Sequence, residues 1–555
     1  MMRANAAIFY APEGYSTAGP RLMGRHAAGE GFLRGWLRHA EVPAYFCYTR
    51  RKAHAEQFAA AGREHAGRAL PVRWIGQNDF KGLAEAGTLY LPDPNLAAHA
   101  WRRRREGAAQ RYSLCGITHT IASHSAMDAI ADFVRAPLEP WDALICTSRP
   151  VLAAARRLLA AEAEWLGARL RAAPAPALPE LALIPLGVEC EAHAPDAAQR
   201  AAWRRRLGAA DADVVFLFVG RLSFHAKANP APMYLALEQA ARRSRKRLHL
   251  VQAGWFANDG IKAEFAKAAA ALCPSVRNLF LDGRQAEVRG AIRQAADVFI
   301  SLSDNVQETF GLTPAEALAA GLPCVVSDWD GYRDTVRDGV DGWRVPTLAP
   351  PPGAGAELAA RHEDEIDNYD RYIGYASLSV AVDVAACAEA CAALASDPAL
   401  RRRMGEAGRR RALEEFDWPV IVRRYQELWH ALGERRRAAP PSPALASPRR
   451  RDPFWLFAEY PTRALADADR VTAAPGASVA RLRELQSLGL LGYGAPVLPR
   501  LEACEALFER IAAAPAQRVD ALIAGAGRER ALRAIAWLYK LGLVRLEPAA
   551  RGQRG

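Results

Sequence analysis

Residues 297–328 read DVFISLSDNVQETFGLTPAEALAAGLPCVVSD, and this stretch decides the fold. Its ends, 298–302 and 323–326, are short apolar runs of the kind buried on both faces of a parallel sheet. Between them a helix is predicted to open at Thr313. Pro314 suits the first helical position, Glu316 completes a capping box with Thr313, and Gly321 stops the helix. Strand, helix and strand form one βαβ unit, and open parallel sheets bind ligands beyond the carboxyl ends of their strands. The loop there carries Glu308, Thr309, Phe310, Gly311 and Leu312 beside a helix N-terminus, which favours anions. Taken alone, Glu316 reads as a capping residue and Glu308 as a solvated one.

A second stretch changes that balance. The apolar run 214–219 is followed by GRLSFHAKANP, in which Gly220 frees the backbone to turn and Arg221 and Lys227 stand six apart. Two cations after one strand and two glutamates after a later strand of the same sheet converge on one crevice. The E-x7-E spacing of Glu308 and Glu316, with TFGL inside it, resembles the donor-sugar motif of retaining GT-B glycosyltransferases, in particular family 4. Gly220, Arg221, Leu222 and Lys227 resemble that family's GRL…K segment, although the insert SFHA is longer than the common form.

The resemblance covers residues 1–433 and is strongest from 214 to 347. It implies two Rossmann-like domains facing a cleft, and transfer of a sugar from a nucleotide-sugar donor with retention. Arg221 and Lys227 would bind the donor diphosphate, helped by the amides of Gly311–Thr313. Glu308 would orient the sugar, and Glu316 would hold the ribose hydroxyls. Arg284 lies in the region that holds the base. No metal is expected, because the cations take its place, and the leaving phosphate helps deprotonate the acceptor.

The N-terminal half fits the same plan. A strand at 6–11 precedes the glycine-rich loop YSTAGPRLMGRHAAGEGFL with Gly19, Gly24, Gly29 and Gly31, which lacks a strict GxGxxG. Further strands are predicted at 44–48, 72–75 and 88–91. Within SLCGITHT (113–120), His119 matches the strand end that carries an active-site histidine in family 4, with His124 a weaker neighbour. WDALICTS (141–148) reads as another strand, and LALIPLGVE (181–189) resembles the family's domain-closing turn, with Leu186 where Asn is usual. A helix over 98–112 carries Arg102 to Arg105. Four successive arginines cannot share one helical face, so a solvated basic surface is predicted, with an anionic membrane as the sharper alternative.

The 555 residues carry 73 Lys and Arg against 61 Asp and Glu, a formal net charge of +12 that suits anionic partners without choosing among them. Nine cysteines without a CxxC pair predict reduced, buried thiols rather than a disulfide framework. With no apolar run of eighteen residues and no basic leader before the first strand, the expected location is cytoplasmic, or peripheral at the inner face of the membrane. The expected domains are an acceptor domain over 1–191, a donor domain over 192–415, a helix crossing back over 416–433, a Pro/Arg-rich linker over 434–451 and an accessory domain over 452–548. The last has helices predicted at 501–512, 519–524 and 529–541 and a strand at 543–546, an order that resembles a winged helix. Its Arg528, Arg530 and Arg533 lie beside Trp537 and Tyr539, which fit a core face, so docking or packing is expected rather than nucleic-acid binding. The expected partners are a nucleotide-sugar donor and a glycan or lipid-linked acceptor. A catalytically silent sugar-nucleotide sensor or scaffold, with a tail that binds DNA or a partner, remains the alternative.

Overall fold

The computed structural model describes residues 4–17, 24–171, 176–492, 494, 497, 500–524 and 527–548. Gly19 of the glycine-rich loop lies outside them. The chain divides into two compact units, 1–447 and 448–555.

The first unit holds two parallel sheets, each continued in its own α/β domain. The first sheet contains β1 (Ala7–Phe9), β2 (Tyr45–Tyr48), β3 (Val72–Ile75), β4 (Thr88–Tyr90), β5 (Ser113–Ile117), β6 (Ala143–Cys146) and β7 (Glu180–Leu183), in the order 3-2-1-4-5-6-7. The second contains β8 (Val214–Val219), β9 (Leu248–Gly254), β10 (Arg277–Asp282), β11 (Val298–Ser301), β12 (Cys324–Ser327) and β13 (Gly342–Val345), in the order 10-9-8-11-12-13. Each order reverses once, between β1 and β4 and between β8 and β11, which gives each sheet a Rossmann-like switch point. Both faces of the second sheet are covered. In VVFLFV, Val214, Phe216 and Phe218 enter one core while Val215 and Leu217 enter the other, as the two-residue period of a strand requires. This is the GT-B arrangement of two Rossmann-like domains.

The helix Trp418–Ala438 returns from the second domain to the first. Trp418, Tyr425 and Trp429 join Phe32, Trp36 and Tyr90 in one aromatic core. Glycine is required at 35, since a Cβ there would lie 2.3 Å from the Trp418 ring. The helix does not stop at 433. Arg435 pairs with Glu180, and Arg436 donates to the Gly87 carbonyl and the Ser113 hydroxyl, both at 2.6 Å. The predicted linker also begins too early. Gln110 donates to the carbonyls of Ala439 and Pro440, and the Leu445 amide to that of Arg104.

The arginine run is not the solvated surface expected from its sequence. It ends a shorter helix, Leu96–Arg105, and Arg103 is 1% exposed with its fork on both oxygens of Asp142 at 2.6 Å. Arg102 donates to the Tyr48 hydroxyl and to Asn78, and Arg104 pairs with Glu139. Only Arg105 stays in solvent, beside Glu106; the groups that receive Arg102, Arg103 and Arg104 lie far along the chain, out of reach of sequence spacing.

Residues 348–365, Pro/Gly-rich and then acidic, begin an insertion that contains a helix, Ala356–Glu363, followed by a second, Tyr369–Leu378. Their ends are drawn together where Thr347–Leu348 pairs antiparallel with Ala381–Val382. All nine cysteines are buried, and none is joined in a disulfide. No helix among the described residues is long and apolar enough to cross a membrane.

The second unit has its own core around Val471, Leu482, Phe508, Ile535 and Leu538. The strand Arg470–Ala473, which sequence reading missed, is central in a three-stranded antiparallel sheet between Gln517–Arg518 and Val544–Glu547. Helices Leu501–Ala513, Val519–Ile523 and Arg528–Lys540 surround it. Ala531, Ala534, Ile535 and Leu538 face that core, and Arg528 pairs with Asp467.

Candidate active site

The loops leaving β8 and β11 flank the second sheet's switch point, and they bring three of the predicted residues together. Gly220 continues β8 by donating to the Ala253 carbonyl at 3.1 Å. Arg221 then folds back, donating to the Ala226 carbonyl at 2.6 Å and to Gln307 at 3.1 Å, so one guanidinium ties the two loops. Burial lowers its pKa, and Asp370 and Tyr369 from the insertion act in the opposite sense. Lys227 and Glu308 form an ion pair with side chains only 18% and 12% exposed. Burial works against both charges. The Glu308 carboxylate outweighs it and raises the Lys227 pKa, while Lys227 and the amides of Thr309 and Phe310 hold Glu308 below the ordinary carboxylate range. Both groups stay charged at neutral pH.

The next helix spans Leu312–Ala319, with Gly311 at its N-cap in the left-handed region, φ 92°, and no side-chain cap. The predicted Thr313–Glu316 capping box is therefore absent. A Cβ at 311 would lie 2.5 Å from the Tyr332 ring, so the loop can pass only as glycine. Among the described residues no side chain caps the first amides of the helix, which suits an anion. Glu316 instead pairs with Arg293 of the helix Ala286–Ala295. Burial raises its pKa, opposed by Arg293 and by Arg34 of the first domain.

The remaining predicted residues divide. Phe310 is 1% exposed and meets Phe416 edge-on at 5.9 Å, so its side chain is core. Leu312 packs on the same cluster. The Thr309 carbonyl accepts from the Thr147 hydroxyl of the first domain, and Thr313 bonds Tyr332. Arg284 pairs with Asp282 at 2.8 Å on the surface beyond the edge strand β10. It is not brought to Arg221, Lys227, Glu308 or Glu316, because its own neighbouring carboxylate holds it.

His119 stands at the end of β5, on the first domain. Burial pushes its pKa down to about 4, against the opposing pull of the Pro92 carbonyl and Asp93, so the ring is neutral. Among the described residues it makes no hydrogen bond to the three charged groups opposite. Its neighbour Thr120 bonds the Tyr369 hydroxyl at 3.2 Å, and His124 stacks on His362 at 3.7 Å, so the insertion reaches across to the first domain. Arg149 also donates from its amide and its guanidinium to Asp334.

Several residues here escaped sequence reading. Gln307 shares Arg221, and Tyr369 and Asp370 come from an insertion with no motif. Asp304 is 3% exposed and accepts the Asn229 amide, and burial pushes it up to about 7. Asp330 has a left-handed φ of 43°, and its carboxyl is held well above the usual range by burial and by nearby Glu308. SLSDN and WDGYR contain acids of ordinary appearance, and only the folded environment distinguishes them.

Residues 199–357, which include Arg221, Lys227, Glu308 and Glu316, match the family model described as glycosyl transferases group 1. The chain is 36% identical over 223 residues to a D-inositol 3-phosphate glycosyltransferase of Geodermatophilus obscurus, covering 38% of this chain and 47% of that protein. It is 29% identical over 339 residues to one of Kribbella flavida, covering 59% and 68%. An alpha-maltose-1-phosphate synthase of Mycobacterium tuberculosis is 32% identical over 141 residues, covering 25% and 29%. The chain thus spans about half the length, or less, of the first relatives it matches. Among solved structures, sucrose-phosphate synthase from Thermosynechococcus elongatus superposes with a TM-score of 0.46 at 18% identity, covering 78% of this chain and all of that one.

Proposed function

We propose that this protein is a glycosyltransferase that moves a sugar from a nucleotide-sugar donor to a glycan or lipid-linked acceptor, with retention and without a metal. The observation that carries it is the meeting of Arg221, Lys227 and Glu308 with an uncapped helix N-terminus at one switch point. Breaking the bond from sugar to diphosphate leaves growing negative charge on the phosphate oxygens. Fixed cations and amides aimed at that charge stabilise the transition state with little reorganisation. Lys227 and Glu308 neutralise each other, so neither partly buried charge stands alone. The diphosphate would then take Lys227, and the sugar hydroxyls would take Glu308. The acceptor oxygen would form the new bond as the bond to phosphate breaks, and its proton would pass to the departing phosphate oxygen.

Glu316, held by Arg293, stays the candidate for the ribose hydroxyls, and the neutral His119 can hydrogen-bond the sugar without adding charge. The first domain would supply the acceptor side. Screening nucleotide sugars for thermal stabilisation tests this reading, since a ligand at about 100 times its dissociation constant adds about 2.7 kcal/mol. Turnover of the best donor should survive EDTA, and NMR of the product should show the donor's anomeric configuration. No stabilisation by any nucleotide sugar would overturn the reading. Loss of turnover in EDTA, restored by magnesium or manganese, would overturn its phosphate chemistry.

A further inference from the structure

The second unit carries a surface that the site does not use. Residues 449–460 read RRRDPFWLFAEY. Phe454, Trp455, Leu456, Phe457 and Tyr460 are between 43% and 82% exposed, five large apolar side chains within seven residues. This is not a frayed stretch. Asp452 accepts the Phe454 amide at 2.9 Å through its side chain, and its carbonyl accepts the amides of Trp455 and Leu456. The rings of Phe457 and Tyr460 lie 5.0 Å apart, and Arg451 stands over Trp455 at 4.6 Å. A built turn that presents aromatic side chains to water marks an interaction surface.

The chemistry of the segment selects the partner. Arginines at 449, 450 and 451 directly precede the aromatic turn, so the segment offers cations and apolar rings side by side. Trp, Tyr and Phe favour the boundary between headgroups and acyl chains, where an apolar body meets a polar rim. Basic residues beside them are drawn to anionic lipid. The run Arg102–Arg105 spends three of its guanidinium groups inside the first domain. We propose that residues 449–460 dock this protein on an anionic bilayer surface, the rings entering the interface and the arginines meeting the headgroups.

The test is sedimentation of the full chain with vesicles of phosphatidylcholine alone, or mixed with phosphatidylglycerol. Binding should be confined to the mixed vesicles and should weaken as salt rises. Replacing Arg449, Arg450 and Arg451 together with Glu should lower it about a hundredfold or more. Phe454→Ser, Trp455→Ser and Phe457→Ser combined should also abolish it, with the melting temperature unchanged because these side chains pack on no core. Absence of binding to mixed vesicles would overturn the proposal, as would binding that the arginine or aromatic replacements leave intact. Sedimentation velocity showing instead that the same aromatic residues join two copies would assign the face to self-association. Neither readout depends on a sugar donor, so failure here is separate from failure of the proposed activity.

Discussion

Lys227 and Glu308 are worth more as a pair than as a sum. Removing one partner of a mostly buried pair strands the other charge, whereas replacing both is far milder. Lys227→Ala is therefore expected to cost about 3 kcal/mol of stability, and Lys227→Met with Glu308→Gln distinctly less, as urea unfolding would show. The pH dependence follows from the two shifts. The lowered Glu308 contributes above its unfolded value near 4.3 and is lost as pH falls through its folded one; the raised Lys227 contributes below about 10.4 and is lost as pH rises through its folded one. The pair should thus stabilise between roughly pH 4.3 and 10.4. Asp304 has the opposite sign. Its folded pKa is raised to about 7, so stability should fall from about pH 4 up through 7. Asp304→Asn should flatten that slope, and an unchanged slope would place the titration elsewhere. Arg221, Lys227 and Glu308 were legible because each sits in a short run whose spacing carries its meaning. The partners of Glu316 and Arg103, namely Arg293 and Asp142, are 23 and 39 residues away and no local pattern points to them.

At the scale of elements, βαβ units were readable from apolar runs, while their ends were not. The capping box at Thr313 failed because Tyr332, from the later short helix Tyr332–Thr335, crowds the chain at Gly311 and sets the turn. The crossing helix outran its predicted end because Arg436 finds acceptors just before β4 and on β5 that polarity alone conceals. A chain ending at Gly433 should accordingly melt lower than one ending at Ser447, since it loses Arg435 and Arg436; equal melting temperatures would make those contacts idle. The insertion between 348 and 381 is the least legible element, and it too reaches across to the first domain. Cutting it out and joining its paired ends with a short turn should leave the fold intact. Amide exchange across 221–229 should then quicken, because Ile373 and Tyr369 no longer pack on Ala226, and Asn305, which donates to the His225 carbonyl, loses its second acceptor at Ile373. Unchanged exchange would show that the loop does not need the clasp.

For the whole molecule, the two units have separate cores, and the residues matching the glycosyl transferases group 1 model all lie in the first. A chain ending at Ser447 should stay folded and keep whatever donor affinity the full chain has; insolubility would mean that the second unit completes the first. Net charge pointed to anionic partners without locating them, because arginines of identical appearance are buried at 103, paired at 528 and grouped beside exposed aromatic residues at 449–451. The central claim is that Arg221, Lys227 and the helix at 312 grip a diphosphate without metal. Calorimetric titration of UDP, GDP and ADP in EDTA tests it most directly, on the full chain and on Arg221→Ala. One nucleotide should bind the full chain, and Arg221→Ala should weaken it by on the order of 10²-fold, as loss of one preorganised charge does. Binding of equal strength to both proteins, or of none of the three nucleotides to the full chain, would contradict it.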